Sequence, residues 1–242
     1  MSTFTKTLIN WGSVSILLLL FFIWHGAFEG PLTDEEIKLY LGRMLAQAPQ
    51  TEAGALDLSQ MSLDEIERQL TGQQPGSSEG EGSANELLQL LDFMRSDDGG
   101  PFVMVNLLHL RDSGSGTEDS AAAELADYNS AVLGFLLPRG SYPLYNGDAA
   151  AQSIAMWGIE DGEDWSSVGL IRYRSRRVMI EMTTSSDFTQ SQGNKTSSLA
   201  KTIAVPTTPT LAVGSLSLTV VLLLLMIGMV VQLRVNPKQR SA

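Results

Sequence analysis

Two uninterrupted apolar stretches, Leu8–Phe28 and Leu211–Leu233, sit near opposite ends of this 242-residue chain, and neither holds a formally charged side chain. As helices rising ~1.5 Å per residue, both are long enough to cross a hydrocarbon core about 30 Å thick. The chain therefore reads as a middle region carried between two membrane spans. Trp11 and Trp24 lie near the two ends of the first span, where amphipathic rings suit the headgroup level. Basic side chains collect on the cytoplasmic side of a membrane, so Lys6 in the tip 1–7 and Arg234, Lys238 and Arg240 in the tail 234–242 place both termini in the cytoplasm. The middle region is then expected outside the cell (inner) membrane, in the periplasm if the organism is a bacterium. A cleavable signal peptide ending near Ala27 is the rival reading of the first span. Gly214, Ser215, Ser217 and Thr219 open the second span with small residues that either admit a neighbouring helix or reflect the ordinary tolerance of lipid for Gly and Ser. His25 reads as an interfacial side chain.

Charge is partitioned as sharply as hydropathy. Every Asp and Glu lies between Glu29 and Asp187, so the middle region sets 27 acidic side chains against twelve basic ones. Such a surface repels a phosphate backbone, and nucleic acid is excluded as a partner. The absence of cysteine excludes disulfides, thiolate metal sites, iron–sulfur clusters and a cysteine nucleophile.

The first part of the middle region, 29–71, is an acidic helical lead-in. Pro31 and the capping box from Thr33 to Glu36 begin a helix running to about Gln47, with Ile37, Tyr40, Leu41, Met44 and Leu45 on one face. Ala48–Leu58 reads as loop, and a second box from Ser62 to Glu65 opens a shorter helix to about Leu70. The stretch 72–83, GQQPGSSEGEGS, has nothing to bury and reads as a flexible linker. A third box from Ser83 to Glu86 then starts a helix at Ala84 with the stripe Leu87, Leu88, Leu91 and Met94.

The remainder, 84–205, is expected to be a single α+β domain. Pro101–Arg111, PFVMVNLLHLR, is a Val/Leu-rich run bounded by turn residues, the signature of a buried central strand. Ala121–Leu137 carries apolar residues at helical spacing and stops at Pro138. Tyr142–Asn146 is a short strand, with Ala150–Trp157 read as its continuation past a kink or bulge and Gly158–Asp164 as a hairpin turn. VGLIRYR is the next strand; Ser175 caps a helix, and Ala200–Val205 is the last strand before the linker 206–210. The order strand, helix, strand, strand, helix, strand is the ferredoxin-like βαββαβ sandwich, with two helices on one face of the sheet. Alternation sets Met104, Asn106, Leu108 and Leu110 on one face of the central strand and Val103, Val105, Leu107 and His109 on the other. With Met104, Leu108 and Leu110 expected on the bare face, a second copy is the economical cover, so a homodimer is expected.

PFVMVNLLHLRD, Tyr128, Trp165, the run Val168–Ser175, Met182 and Ser186-Asp187-Phe188 together resemble a small family of unknown function in the dimeric α+β barrel group, related to the antibiotic-biosynthesis-type monooxygenases. The resemblance covers about Gly100–Val205. It implies the ferredoxin-like fold and a dimer, and carries no assigned reaction. Arg174 departs from the pattern, which usually has Pro there, and the two apolar spans are not a general feature of that family.

Asn106 is the one polar side chain in the middle of the central strand, able either to face a ligand or to satisfy neighbouring backbone. Arg172 and Tyr173 fall on opposite faces of the VGLIRYR strand. Arg172 is expected to join Asn106, because Ile171 and Tyr173 suit the helix-packed side. Tyr128 is either core or a cleft hydroxyl. His109 is expected on the helix side, with no second His or Cys to build a metal site. Glu160, Asp161, Glu163 and Asp164 lack the spacing of an EF-hand and read as a solvated turn. Asn194-Lys195-Thr196 fits a glycosylation sequon. No phosphate-binding loop, nucleophile elbow or zincin motif is present, and no cofactor is expected. Two functions follow as expectations. One is a membrane-anchored accessory or interaction protein, with a possible membrane-protein partner. The other is a small-molecule binder or cofactor-free monooxygenase-like enzyme using Asn106, Arg172 and Tyr128.

Overall fold

The computed structural model describes residues 1–47, 58–72, 78–111, 118–160, 162, 164–185, 188, 197–210 and 216–235. In chain order the elements are α1 (Thr3–His25), α2 (Asp34–Gln47), α3 (Leu63–Gly72), α4 (Ser78–Arg95), β1 (Phe102–Leu110), α5 (Glu118–Leu136), β2 (Tyr142–Asp148), β3 (Ser167–Tyr173), α6 (Arg176–Thr183), β4 (Leu199–Thr207) and α7 (Leu216–Val235). They divide into two compact units, residues 1–28 with 208–242, and Glu29–Thr207. Gly214, Ser215, Lys238, Arg240, the sequon, Asp112, Asp161, Glu163, Ser186, Asp187 and most of the Ala48–Leu58 loop lie outside the described residues.

In the first unit α1 and α7, each long and apolar enough to cross a membrane, pack against one another. They run antiparallel: Gln232 Nε2 donates to Thr7 Oγ1 (2.8 Å), and Asn10 Nδ2 donates to the Gly228 carbonyl (2.9 Å). The start of α1 and the end of α7 therefore lie at the same end of the pair. The close approach is made at Gly228, where an added Cβ would stand 3.0 Å from Val14 Cγ2 and 3.2 Å from the Trp11 ring. This small residue lies in the later turns of the second span, beyond Ser217 and Thr219. Gly26, at φ 101°, closes α1 by donating to the Phe22 and Ile23 carbonyls.

In the second unit the capping boxes form as read. Thr33 N–H donates to Glu36 Oε2 (2.9 Å) and Glu36 N–H to Thr33 Oγ1 (3.3 Å), with the same reciprocal pair between Ser62 and Glu65. The third box is a correction: α4 is already helical at Ser78. A helix anchored by the buried Leu91 and Met94 propagates toward its N-terminus at little further cost, so the linker reading fails over 78–83. Residues 73–77 of that linker are outside the described set. Nor does the lead-in stand apart from the α+β part. Ile37 and Leu41 of α2, Ile66 of α3 and Leu91 and Met94 of α4 share one core with Ile180 of α6.

The segment Glu29–Leu32 is fastened to the same junction. Arg174 pairs with Glu29 (2.7 Å), Arg177 with Glu36 (2.9 Å), and Asp97 accepts from Leu32 N–H (2.9 Å) and Gly99 N–H (3.1 Å). Gly99, at φ +75°, leaves no room for a side chain: a Cβ there would stand 2.7 Å from the Gly30 carbonyl carbon. Arg174, the departure from the resembled family's pattern, thus serves the lead-in.

The sheet is four-stranded and antiparallel in the order β2-β3-β1-β4, which with α5 and α6 completes the ferredoxin-like βαββαβ arrangement. Val103 pairs with Arg172 and Met104 with Ile171, so register fixes which side chains share a face. Phe102, Met104 and Tyr173 pack beneath Tyr128, Val132 and Leu136 of α5 and Val178 and Met182 of α6. The Met104–Asn106–Leu108 face is therefore the helix-covered one, opposite to the expectation that Met104 and Leu108 were bare. The uncovered face carries Val105, Leu107, Leu170, Ile203 and Val205, of which Ile203 is 40% and Val205 46% exposed. Ala150–Trp157 forms no strand; Ile154 and Trp157 are 99% and 95% exposed. The irregularity expected in β2 falls earlier, between Pro143 and Tyr145.

Candidate functional site

A cavity of about 310 Å³ opens between the helix-covered face of the sheet and helices α5 and α6. Its origin can be read across the strands. Register aligns Asn146 of β2, Gly169 of β3, Asn106 of β1 and Ala204 of β4 in one row, and all four line the cavity. Larger side chains flank that row, Met104 and Ile171 toward one end, where they pack against the helices, and Leu108 toward the other. The row itself offers no aliphatic bulk, so the helices span it and leave space. No Asp, Glu, Lys, Arg or His lines the cavity among the described residues. Its polar groups are amides and hydroxyls, set among Leu125, Val132, Met179, Met182 and Phe188.

Asn106 Nδ2 donates to the Met104 and Gly169 carbonyls, both at 3.4 Å. Since both neighbours are acceptors, the amide orientation is determined, and Oδ1 meets no donor among the described residues. Tyr128 of α5 and Tyr173 of β3 bring phenols to the same space. Burial pushes Tyr128 up to about 12, and burial together with the charge Tyr128 would carry pushes Tyr173 up as well. Both stay protonated at physiological pH and so keep a hydrogen to donate.

Of the three residues expected to cooperate, the structure unites Asn106 with Tyr128 and separates Arg172. Arg172 lies on the other sheet face, opposite Val103, and is 7% exposed. Its Nη1 donates to the Gly140 carbonyl (2.9 Å) and its guanidinium sits 5.4 Å from the Tyr142 ring centroid, while burial pulls its pKa below the ordinary value. It fastens the turn after α5 to the sheet. Tyr173, assigned in sequence to the helix side, is the residue that joins Asn106. His109 is corrected in the same way: it shares the uncovered face, paired with Lys201, with Nδ1 3.4 Å from Ser166 Oγ. No cluster of His, Cys, Asp or Glu suited to a metal occurs among the described residues. Asp164 accepts from Gln152 Nε2 (2.8 Å) within its exposed loop.

Asn146, Asn129 and Gly169 were missed. Asn146 precedes Gly147-Asp148 and looks like a strand breaker, and Asn129 sits inside an amphipathic helix. Gly169 interrupts an apolar strand, a sign of close backbone approach or of space for something else.

No protein-family model matches the sequence, and no curated protein does. Among solved structures, two of one Rhodopseudomonas palustris protein of unknown function are similar to this chain, the second in methylated form. Their identities are 21% and 22%, with a TM-score of 0.40 in each; they cover 50% and 51% of this chain and 91% and 90% of that one. A dimeric protein of unknown function and ferredoxin-like fold from Bacteroides fragilis is similar at 12% identity and TM-score 0.30, over 44% of this chain and 94% of its own.

Proposed function

We propose that this chain is a membrane-anchored binding protein whose extracytoplasmic α+β domain holds a small uncharged molecule between its sheet and helices α5 and α6. The observation that carries the reading is the 310 Å³ uncharged cavity floored by Asn146, Gly169, Asn106 and Ala204. That volume is at the lower end of the range, ~300–1,000 Å³, in which small ligands are held. Among the described residues the lining is of amides, hydroxyls and apolar side chains, groups suited to holding an uncharged molecule, which supports the binding reading. Should oxygenation occur, Asn106 and Tyr128 are the groups in place to orient a substrate. Anchoring rests on α1 and α7 as membrane spans, with both termini cytoplasmic; a periplasm-only reporter fused after Ala242 is expected to stay silent, and an active one reverses the orientation. The test of binding is mass spectrometry of small molecules released from the detergent-purified full chain and from Gly169→Leu. A compound present with the first and missing from the second supports the reading; identical extracts overturn it.

A second reading, an interaction protein, draws on the uncovered sheet face. Val105, Leu107, Leu170, Ile203 and Val205 make an apolar surface of the kind that pairs with a second copy. Light scattering in detergent should give a dimer that Val205→Asp with Ile203→Asp converts to monomer; a monomeric parent chain refutes it.

A further inference from the structure

Tyr173 is 4% exposed, and its ring is held by a stack on Phe102, with centroids 5.1 Å apart and planes 6° from parallel. The ring has no freedom to carry its hydroxyl elsewhere. That hydroxyl meets no hydrogen-bond partner among the described residues, although the residue forms part of the cavity wall. Nor is it one of the fully buried side-chain atoms left without a partner, so it opens onto the cavity, where water or a ligand atom can meet it. A phenol that opens onto the cavity with no protein acceptor among the described residues is available to donate to an acceptor on whatever the cavity holds. The rest of the wall restricts what that acceptor is attached to. A charged ligand would be stripped of water with no counter-ion among the described lining residues, and an all-hydrocarbon one would make no use of the phenol.

We infer that Tyr173 donates a hydrogen bond to a carbonyl-type acceptor on a compact, otherwise apolar and uncharged ligand. The inference rests on the binding reading above and specifies its chemistry. Burial, which keeps the phenol protonated, also keeps it a donor across the physiological range. Asn106 Oδ1, farther along the same cavity wall, is placed to receive a ligand hydroxyl or N–H if one is present, but the inference needs only the phenol.

The test uses matched probes on the full chain in nanodiscs, with empty discs subtracted: 1-tetralone, tetralin, which lacks the carbonyl, and a tetralin carboxylate. One neutral hydrogen bond corresponds to about a tenfold difference in affinity, so tetralone is expected to bind about tenfold more tightly than tetralin, and the carboxylate not measurably. Tyr173→Phe keeps the ring stack and should bring tetralone down to tetralin while leaving tetralin unchanged. Its thermal midpoint should be unchanged or higher, because no internal hydrogen bond is lost. Equal binding of tetralone and tetralin by the parent chain, or a tetralone preference that survives in Tyr173→Phe, overturns the inference and leaves the cavity reading standing. Carboxylate binding as tight as tetralone overturns the uncharged-ligand part. Failure of every probe to bind overturns the cavity reading and the inference with it.

Discussion

Filling the cavity from its floor should make the protein more stable and less able to bind, a pairing of effects that few substitutions produce. Gly169 sits in ordinary extended backbone, and a Cβ built there would meet only Asn146 Oδ1, at 3.8 Å, which is van der Waals contact. Replacing a strand glycine by alanine at such a position stabilises by about 0.5–1 kcal/mol, since less backbone entropy is lost on folding. Leucine adds three further carbons. Burying each in apolar surroundings contributes about 0.8 kcal/mol, against about 0.5–1 kcal/mol of side-chain entropy. The net expectation for Gly169→Leu is about 2 kcal/mol of added stability, which for a domain of this size raises the thermal midpoint by about 4–8 °C. The assay is a thermal melt of the detergent-solubilised full chain followed by circular dichroism, run beside the tetralone titration. Binding should fall below detection, while Gly169→Ala should gain the smaller increment and retain most of its affinity. A Gly169→Leu protein destabilised by about 1 kcal/mol or more would show that the space is already occupied. Unchanged tetralone affinity would show that the ligand sits elsewhere.

Other perturbations probe the frame around the cavity. Because the chain has no cysteine, Val14→Cys combined with Gly228→Cys should form an intramolecular disulfide under mild oxidation, seen as a gel shift reversed by reductant; no shift would mean that α1 and α7 do not pack as described. Glu36 is held below the ordinary carboxylate range, chiefly by the Thr33 N–H and further by Arg177. A lowered folded-state value stabilises above the unfolded value, ~4.3, and is lost as pH falls through the folded one. Glu36→Gln should accordingly cost up to about 1 kcal/mol in urea unfolding at pH 7 and progressively less as the medium is acidified; a cost that does not shrink with acidification would remove the charge from the account. Arg174→Met strands the Glu29 carboxylate, whose Oε2 is already buried without a partner, and should cost about 1–3 kcal/mol. Glu29→Gln made together with Arg174→Met should recover part of that loss, and no recovery would argue against a direct coupling.

Much of the fold was legible because its signals are local. The Val/Leu run of β1, bounded by Gly99-Gly100 and Asp112, needs only composition and length to be recognised, and the boxes at Thr33 and Ser62 need only three-residue spacing. The site was less legible because it depends on register. Alternation told that Asn106 and Met104 share a face, and that Arg172 and Tyr173 do not, but nothing along the chain says which pair meets. A shift of one residue between β1 and β3 would put Arg172 instead of Tyr173 on the face that carries Asn106, and only the observed Val103–Arg172 pairing decides it. The early start of α4 escaped for the opposite reason. Glycine and serine make 78–83 look like a linker locally, whereas the helix is held from its far end by Leu91 and Met94 in the lead-in core.

The row across the sheet separates two properties that most binding sites entangle. In the binding reading proposed above, capacity is set by what Gly169 and Ala204 lack, whereas the polar requirement is set by one phenol stacked on an aromatic neighbour of the adjoining strand. A lineage carrying this domain would therefore be free to trade a larger guest for a smaller one by a single alanine at the floor, with its chemical taste intact. The reverse change, a phenylalanine in place of the phenol, would alter the taste and leave the room the same size.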